Sequence, residues 1–183
     1  MKQPRVTDEI LEIDPIDHDL LEILQEDCRL SLARIGERVG LSAPSVLERI
    51  KKLEAARVVC GYEAILDGRR LGLEVTAFVG IFISHPNHIQ AFLDRVDAFP
   101  AVQEAHQVTG SYTVLLKVKA ATTLSLGELI GRINRIEGVT RSETTVVLST
   151  HTERVRMEVP RGLSGRRRRA RRSDPGLRGD VEQ

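Results

Sequence analysis

Nowhere in these 183 residues does an apolar run approach the roughly 18 positions a membrane-crossing helix requires, and the opening MKQPRVTDEILEID has no hydrophobic signal-peptide core. A cytoplasmic protein with no membrane partner is expected. Cysteine is equally scarce. Cys28 and Cys60 form no C-x-x-C pair, so a redox or metal role lacks its residues and both thiols are expected to be small buried hydrophobes. Catalytic constellations are missing too: there is no Ser-His-Asp order, no pair of catalytic carboxylates and no phosphate-binding loop. His85 and His88 in "HPNH" sit at a helix start broken by Pro86 and read as a solvated cap rather than metal ligands. His106, alternating on a strand, reads as a dimer-face or pocket residue. Catalytic residues, metal and cofactor are all expected to be none.

What the chain does have is segregated charge. The net charge of +1 conceals a C-terminal segment, 161–183, with eight arginines against three acids, and a preceding 160 residues that are net negative. Residues 8–27 hold nine acids and no lysine or arginine, whereas residues 28–57 hold seven basic side chains and three acidic ones. A locally basic stretch is what a phosphate-facing surface needs. The run RRRRARR is the one low-complexity segment and reads as a solvated, disordered tail that could add sequence-independent affinity for a polyanion. No internal repeat is found.

Hydrophobic periodicity divides the rest in two. Asp14-Pro15 with Asp17 opens a helix whose stripe is Ile16, Leu20, Ile23 and Leu24. Ser31 caps a short second helix with Leu32, Ile35 and Val39 inward, and Gly40 ends it. "VGLSAPSVLERIKKLE" then gives a third: Ser42 caps, Pro44 lies in the first turn, and Val46, Ile50 and Leu53 are buried, leaving Ser45, Glu48, Arg49 and Lys52 outside. Two short helices around a Gly-containing turn are the pattern of a helix-turn-helix, and a strand over Val58 to Ile65 would make it a winged or ribbon-extended one.

From about Leu73 the period changes from 3.6 to 2. Val75, Ala77, Val79, Ile81 and Ile83 line one face of a strand, and Phe78 and Phe82 the other. Asn87 with Gln90 caps a helix with a stripe of Ile89, Phe92, Leu93 and Val96. A hairpin turns at Gly110-Ser111 between strands over Val102 to Thr109 and Tyr112 to Ala120. Ser125 with Glu128 caps a helix with a stripe of Leu126, Leu129, Ile130, Ile133 and Ile136, and after Gly138 a last strand runs from Val139 to Ser149. The order β-α-β-β-α-β is the ferredoxin-like plan. Its two helices cover one sheet face, so a second copy of the chain meeting Phe78 and Phe82 is the natural cover of the other. The fold class is therefore α+β: a tail over 1–13, a helix-turn-helix domain over 14–60, a linker over 61–72, a ferredoxin-like domain over 73–150 and an Arg-rich tail over 151–183.

The words themselves resemble a known family. "VGLSAPSVLERIKKLE" is similar to the recognition helix of the leucine-responsive/AsnC, or feast/famine, transcription regulators, "CGYEAILDGRRLGL" to their linker, and "TGSYTVLLKV" with "IEGVTRSETTVVL" to their effector domain. The resemblance implies a regulator that binds double-stranded DNA through Ser31, Ser42, Ala43, Ser45, Arg49 and Lys52. It also implies a homodimer that associates further, and an amino-acid or related effector near Gly110, Ser111, Tyr112, Thr113, Thr140 and Thr144. Two departures stand out. Arg57 replaces the glycine usual before the linker, and the usual G-D-Y-D hairpin is Gly110-Ser111-Tyr112-Thr113, where Glu104 or Glu143 could supply the missing acid. Sirohaem decarboxylase subunits also resemble this family, so an enzyme is one alternative and an effector-binding partner without DNA affinity another.

Overall fold

The structure, a computed structural model, describes residues 12–161. The first eleven residues and the arginine run at 166–172 lie outside the described residues. The described residues form two units, one comprising 12–63 together with 154–161, the other Ala64–Glu153.

The first unit is built on three helices, α1 (Pro15–Glu26), α2 (Leu32–Val39) and α3 (Ala43–Ala55). Asp14 caps α1 by accepting from the Asp17 N–H at 2.8 Å, with Pro15 in the first turn where no N–H is needed. Leu20 and Ile23 pack against Ile35, Val46 and Ile50, and Ile16, Leu24, Leu32 and Val39 lie along the edge of that core. The expected stripes are thus the ones that meet. Ser31 caps α2, accepting from the Arg34 N–H at 3.3 Å, and Gly40 ends it at φ 72°. The turn to α3 depends on Gly36: the Leu41 N–H donates to the Gly36 carbonyl at 2.9 Å, and a Cβ on Gly36 would overlap the Leu41 carbonyl.

Helix α3 ends in a Schellman turn, with the Arg57 N–H donating to the Glu54 carbonyl and the Val58 N–H to the Leu53 carbonyl, both at 2.9 Å. Arg57 occupies the left-handed position at φ 56° and is the one non-glycine residue with positive φ among the described residues. No strand forms over Val58 to Ile65. This corrects the winged expectation: the segment is β-prone in composition but has no ladder partner among the described residues. Tyr62 donates to Glu54 at 2.9 Å, and Ile65 and Leu66 are exposed. Cys28 and Cys60 are exposed rather than buried, because one lies in the α1–α2 turn and the other just past α3, outside both helical stripes.

The second unit contains β1 (Val75–Ile83), α4 (Ile89–Val96), β2 (Val102–Gln107), β3 (Val114–Ala120), α5 (Thr123–Asn134) and β4 (Val139–Val146). All pairings are antiparallel and the order is β2-β3-β1-β4, the ferredoxin-like arrangement. Ala77, Val79 and Ile81 of β1 and Val114, Leu116 and Val118 of β3 pack under Phe92, Val96, Leu126, Leu129 and Ile133 of the two helices. Phe78 faces the other side and is 38% exposed. Two caps differ from expectation. Thr122 and Ser125, not Ser125 and Glu128, form the capping box of α5. Asn87 does not cap α4: a short 3-10 turn over Pro86–His88 precedes that helix, with His85 accepting from the Asn87 N–H. At α5 the Thr122 hydroxyl accepts from the Ser125 N–H at 3.1 Å, whereas no side chain caps α4.

The left-handed Arg57 carries a conformational penalty of about 1 kcal/mol that glycine avoids, partly offset by glycine's greater freedom when unfolded. Arg57→Gly should therefore raise stability by roughly 0.5 kcal/mol, read as a higher urea midpoint at unchanged m-value, whereas Arg57→Val should lower it.

Candidate nucleic-acid interface and effector hairpin

The second helix of a helix-turn-helix presents its N-terminal end to whatever it recognises, so the start of α3 is the place to examine. Ser42 Oγ accepts from the Ser45 N–H at 3.4 Å and lies 2.9 Å from Ser45 Oγ. Ser42 is exposed, Ala43 and Ser45 are half-buried, and Pro44 and Glu48 are exposed, so the tip is small, polar and open. Lys52, one turn from the C-terminal end, is 55% exposed. Ser31, exposed at the head of α2, has its hydroxyl in the α2 cap.

Arg49 behaves differently from the expectation that it stands free on the outer face. Its guanidinium donates to Asp14 at 2.6 Å and to Asp17 at 2.7 Å, and its side chain is only 29% exposed. Asp17 is fully buried, and its second oxygen has no hydrogen bond, the Lys52 ammonium lying 3.9 Å away. The two acids read from sequence as helix-dipole residues thus clamp α1 to α3. Burial alone pushes the Asp14 carboxyl up, but the Asp17 N–H and Arg49 outweigh it and hold it below its ordinary 3.8. A depressed carboxylate stabilises the fold fully above its unfolded value and loses that contribution as pH falls through the folded one. The Asp14 contribution therefore disappears only in acid below about pH 4.

In the second unit the hairpin residues divide between the two sheet faces. Tyr112 lies across Gly80, where any Cβ would overlap its ring, and meets Phe82 edge-on at 5.4 Å. Its hydroxyl donates to Glu143 at 3.2 Å, and this bond raises the phenol pKa. Glu143 in turn pairs with Arg141 at 2.7 Å, whose guanidinium sits 4.1 Å over Phe82. Gly110, at φ 109°, and Ser111 form the exposed tip. Thr113 is occupied by the backbone, its hydroxyl accepting from the Ile83 N–H at 3.2 Å. Thr140 is the extra residue where the β1–β4 register shifts, and it donates to the Phe82 carbonyl at 3.1 Å. Thr144 pairs across from buried Val79, so it lies on the helix side of the sheet, away from Tyr112. Sequence reasoning had grouped it with the hairpin; strand parity separates them. Arg141 went unnoticed, although its two-residue spacing from Glu143 is the signal that both share a face.

His106 is exposed, 3.2 Å from Glu104, which also accepts from Lys117 at 3.1 Å. His88 presses against Gly138. Among the described residues no group of histidine, cysteine or acid side chains has a metal-binding arrangement, and no helix is long and apolar enough to cross a membrane.

A capped helix-turn-helix with a basic second helix, carried in one chain with a four-stranded ferredoxin-like sheet, defines a DNA-binding regulator with a separate ligand domain. The AsnC-type helix-turn-helix domain matches residues 13–54 and the Lrp/AsnC ligand binding domain residues 76–157. The leucine-responsive regulatory protein of Rhizobium meliloti is 35% identical over 142 residues, 76% of this chain and 88% of that protein. Among solved structures, AsnC of E. coli matches with a TM-score of 0.74 at 27% identity, over 79% of this chain and 97% of that one. A feast or famine regulatory protein from M. tuberculosis, complexed with L-methionine, matches with a TM-score of 0.75 at 29% identity, over 80% and 99%. The chain belongs to the Lrp/AsnC family of transcription regulators.

Removing Arg49 leaves Asp17 buried without its cation, and breaking such a pair costs about 3 kcal/mol. Arg49→Ala should therefore lower the unfolding midpoint of the DNA-binding unit markedly in urea, as well as weakening DNA binding. A midpoint equal to the parent's would show that the clamp carries no stability. Gly80→Ala should displace Tyr112 from the sheet, seen as a change in tyrosine near-ultraviolet circular dichroism with the far-ultraviolet spectrum retained.

Proposed function

We propose that this regulator binds double-stranded DNA through the open N-terminal end of α3, with Ser42, Ala43 and Ser45 reaching base edges, Lys52 and the head of α2 at Ser31 reaching phosphate, and Arg49 holding the helix in place. The observation that carries the reading is the capped, small-residue tip of α3 next to an exposed lysine. Small side chains let the helix end approach the groove floor, and its positive dipole end favours phosphate. The protein acts in the cytoplasm as a homodimer or a larger homo-oligomer, with the Phe78 and Phe82 face of the sheet as the contact between copies. The relatives are transcription regulators, and no catalytic role is proposed.

The effector reading follows from Arg141 and Glu143. An α-amino acid carries one ammonium and one carboxylate, and this pair beside Tyr112 offers a partner for each without the acids missing from the hairpin. The L-methionine bound by the M. tuberculosis relative supports that ligand class.

Selecting binding sites from a randomised duplex pool should yield a defined sequence, and recovery of no enriched sequence would contradict the reading. Lys52→Ala should reduce the salt slope of binding by about one while leaving sequence preference intact. Phe78→Glu should dissociate the oligomer by forcing an unpaired charge into an apolar contact, and light scattering reads the outcome. Glu143→Gln should weaken L-amino-acid binding about tenfold in calorimetry, as expected for loss of a charged hydrogen bond.

A further inference from the structure

The helix side of the second unit's sheet carries positive charge that neither DNA contact nor the hairpin uses. Between α4 and α5 lies a cleft of about 490 Å³, bordered by His88, Arg95, Phe99, Arg132, Arg135 and Glu137. Its size falls within the roughly 300–1,000 Å³ of small-molecule sites. All three arginines are exposed, and with Glu137 as the one acid in the lining the cleft is net positive.

The surrounding helices do little to balance that charge. At the positions three and four residues either side of Arg95, where helical ion pairs form, stand Ala91, Phe92, Ala98 and Phe99. Glu128 does precede Arg132 by four residues, but the Arg132 guanidinium sits 4.3 Å over the Phe99 ring instead, which fixes its plane at the edge of the cleft. Arg135 Nη1 lies 3.9 Å from where a Cβ on Gly131 would stand, so the bare backbone there leaves it room. The negative end of the α5 dipole amounts to about half a charge, too little to balance Arg132 and Arg135. Neither Arg95 nor Arg135 has an ion pair with an acid among the described residues.

We propose that this cleft binds a phosphate monoester through Arg95, Arg132 and Arg135. Such an ester carries about 1.5 to 2 negative charges at pH 7 and three acceptor oxygens, which suits three guanidinium donors whose planar forks match phosphate. Ala91 and Ile136, also in the lining, give the ester group an apolar wall. The site lies on the opposite face of the sheet from Tyr112 and Glu143, so it is separate from the amino-acid site and needs neither that reading nor the DNA-binding one.

The test is calorimetric titration of the full chain with phenyl phosphate and with benzoate, which offers a similar ring and a single charge. Phenyl phosphate should bind at least about tenfold more tightly. Arg95→Ala and Arg135→Ala should each weaken it about tenfold, the loss of one charged hydrogen bond, with the urea midpoint unchanged because both side chains are exposed. Glu137→Gln should strengthen it about two- to fivefold, a gain that damage to the fold does not produce. Equal binding of the two probes, or arginine variants that bind phenyl phosphate as the parent does, would overturn the proposal. So would a parent that binds no phenyl phosphate while the arginine substitutions weaken its affinity for duplex DNA, since the cleft would then serve a nucleic-acid backbone.

Discussion

Everything the recognition helix can do depends on how firmly it is held, and the firmest polar hold on α3 is the charge cluster of Arg49 with Asp14 and Asp17. The cluster spans two helices and more than thirty residues of sequence. One of its carboxylates is fully buried, which makes it costly to form and more costly to break. Hydrophobic contact among Leu20, Ile23, Ile35, Val46 and Ile50 brings the helices together, but such contact is non-directional. The guanidinium fork adds direction, fixing the rotation of α3 about its axis and therefore which residues its tip presents. The Gly36 approach and the Schellman turn at Arg57 fix the two ends of the same helix.

The second unit solves a similar problem with a ring. Gly80 has no side chain, so the Tyr112 ring can approach the strand closely and donate its hydroxyl to Glu143, with Arg141 and Phe82 completing the group. A face that looks hydrophobic from Phe78 and Phe82 alone is thus a mixed one, apolar toward the first strand's start and charged toward the hairpin. The proposed contact between copies and the proposed amino-acid site draw on these two parts of the one surface.

Much of this was legible in sequence where period decides. The stripes of α2 to α5 and the alternation of β1 appear as expected, because burial follows 3.6 and 2, whereas α1 also buries Leu21 and Asp17 beside its expected stripe. The role of Arg49 was not legible: periodicity placed it outside, and only the fold brings Asp14 and Asp17 within reach. Nor could Thr144 be separated from Tyr112 without the register that sets it opposite Val79. The strand over Val58 to Ile65 failed for a related reason, since propensity supplies a candidate but pairing needs a partner. The packing of residues 156–159 along α1 was not legible because Arg156, Met157 and Val159 have no periodic pattern, and it is backbone groups that mostly do the bonding.

The central claim is that Arg49 serves the fold of the DNA-binding unit by pairing with Asp17, and DNA recognition through that. A double-mutant cycle with Arg49→Met, Asp17→Asn and both, followed by urea unfolding and by titration of a selected duplex, tests it most directly. The account predicts a coupling of about 1 to 3 kcal/mol in unfolding, with the double variant far more stable than the sum of the single losses implies. Additive unfolding effects, together with a loss of affinity on removing Arg49 that the Asp17 change does nothing to alter, would contradict it and return Arg49 to the DNA.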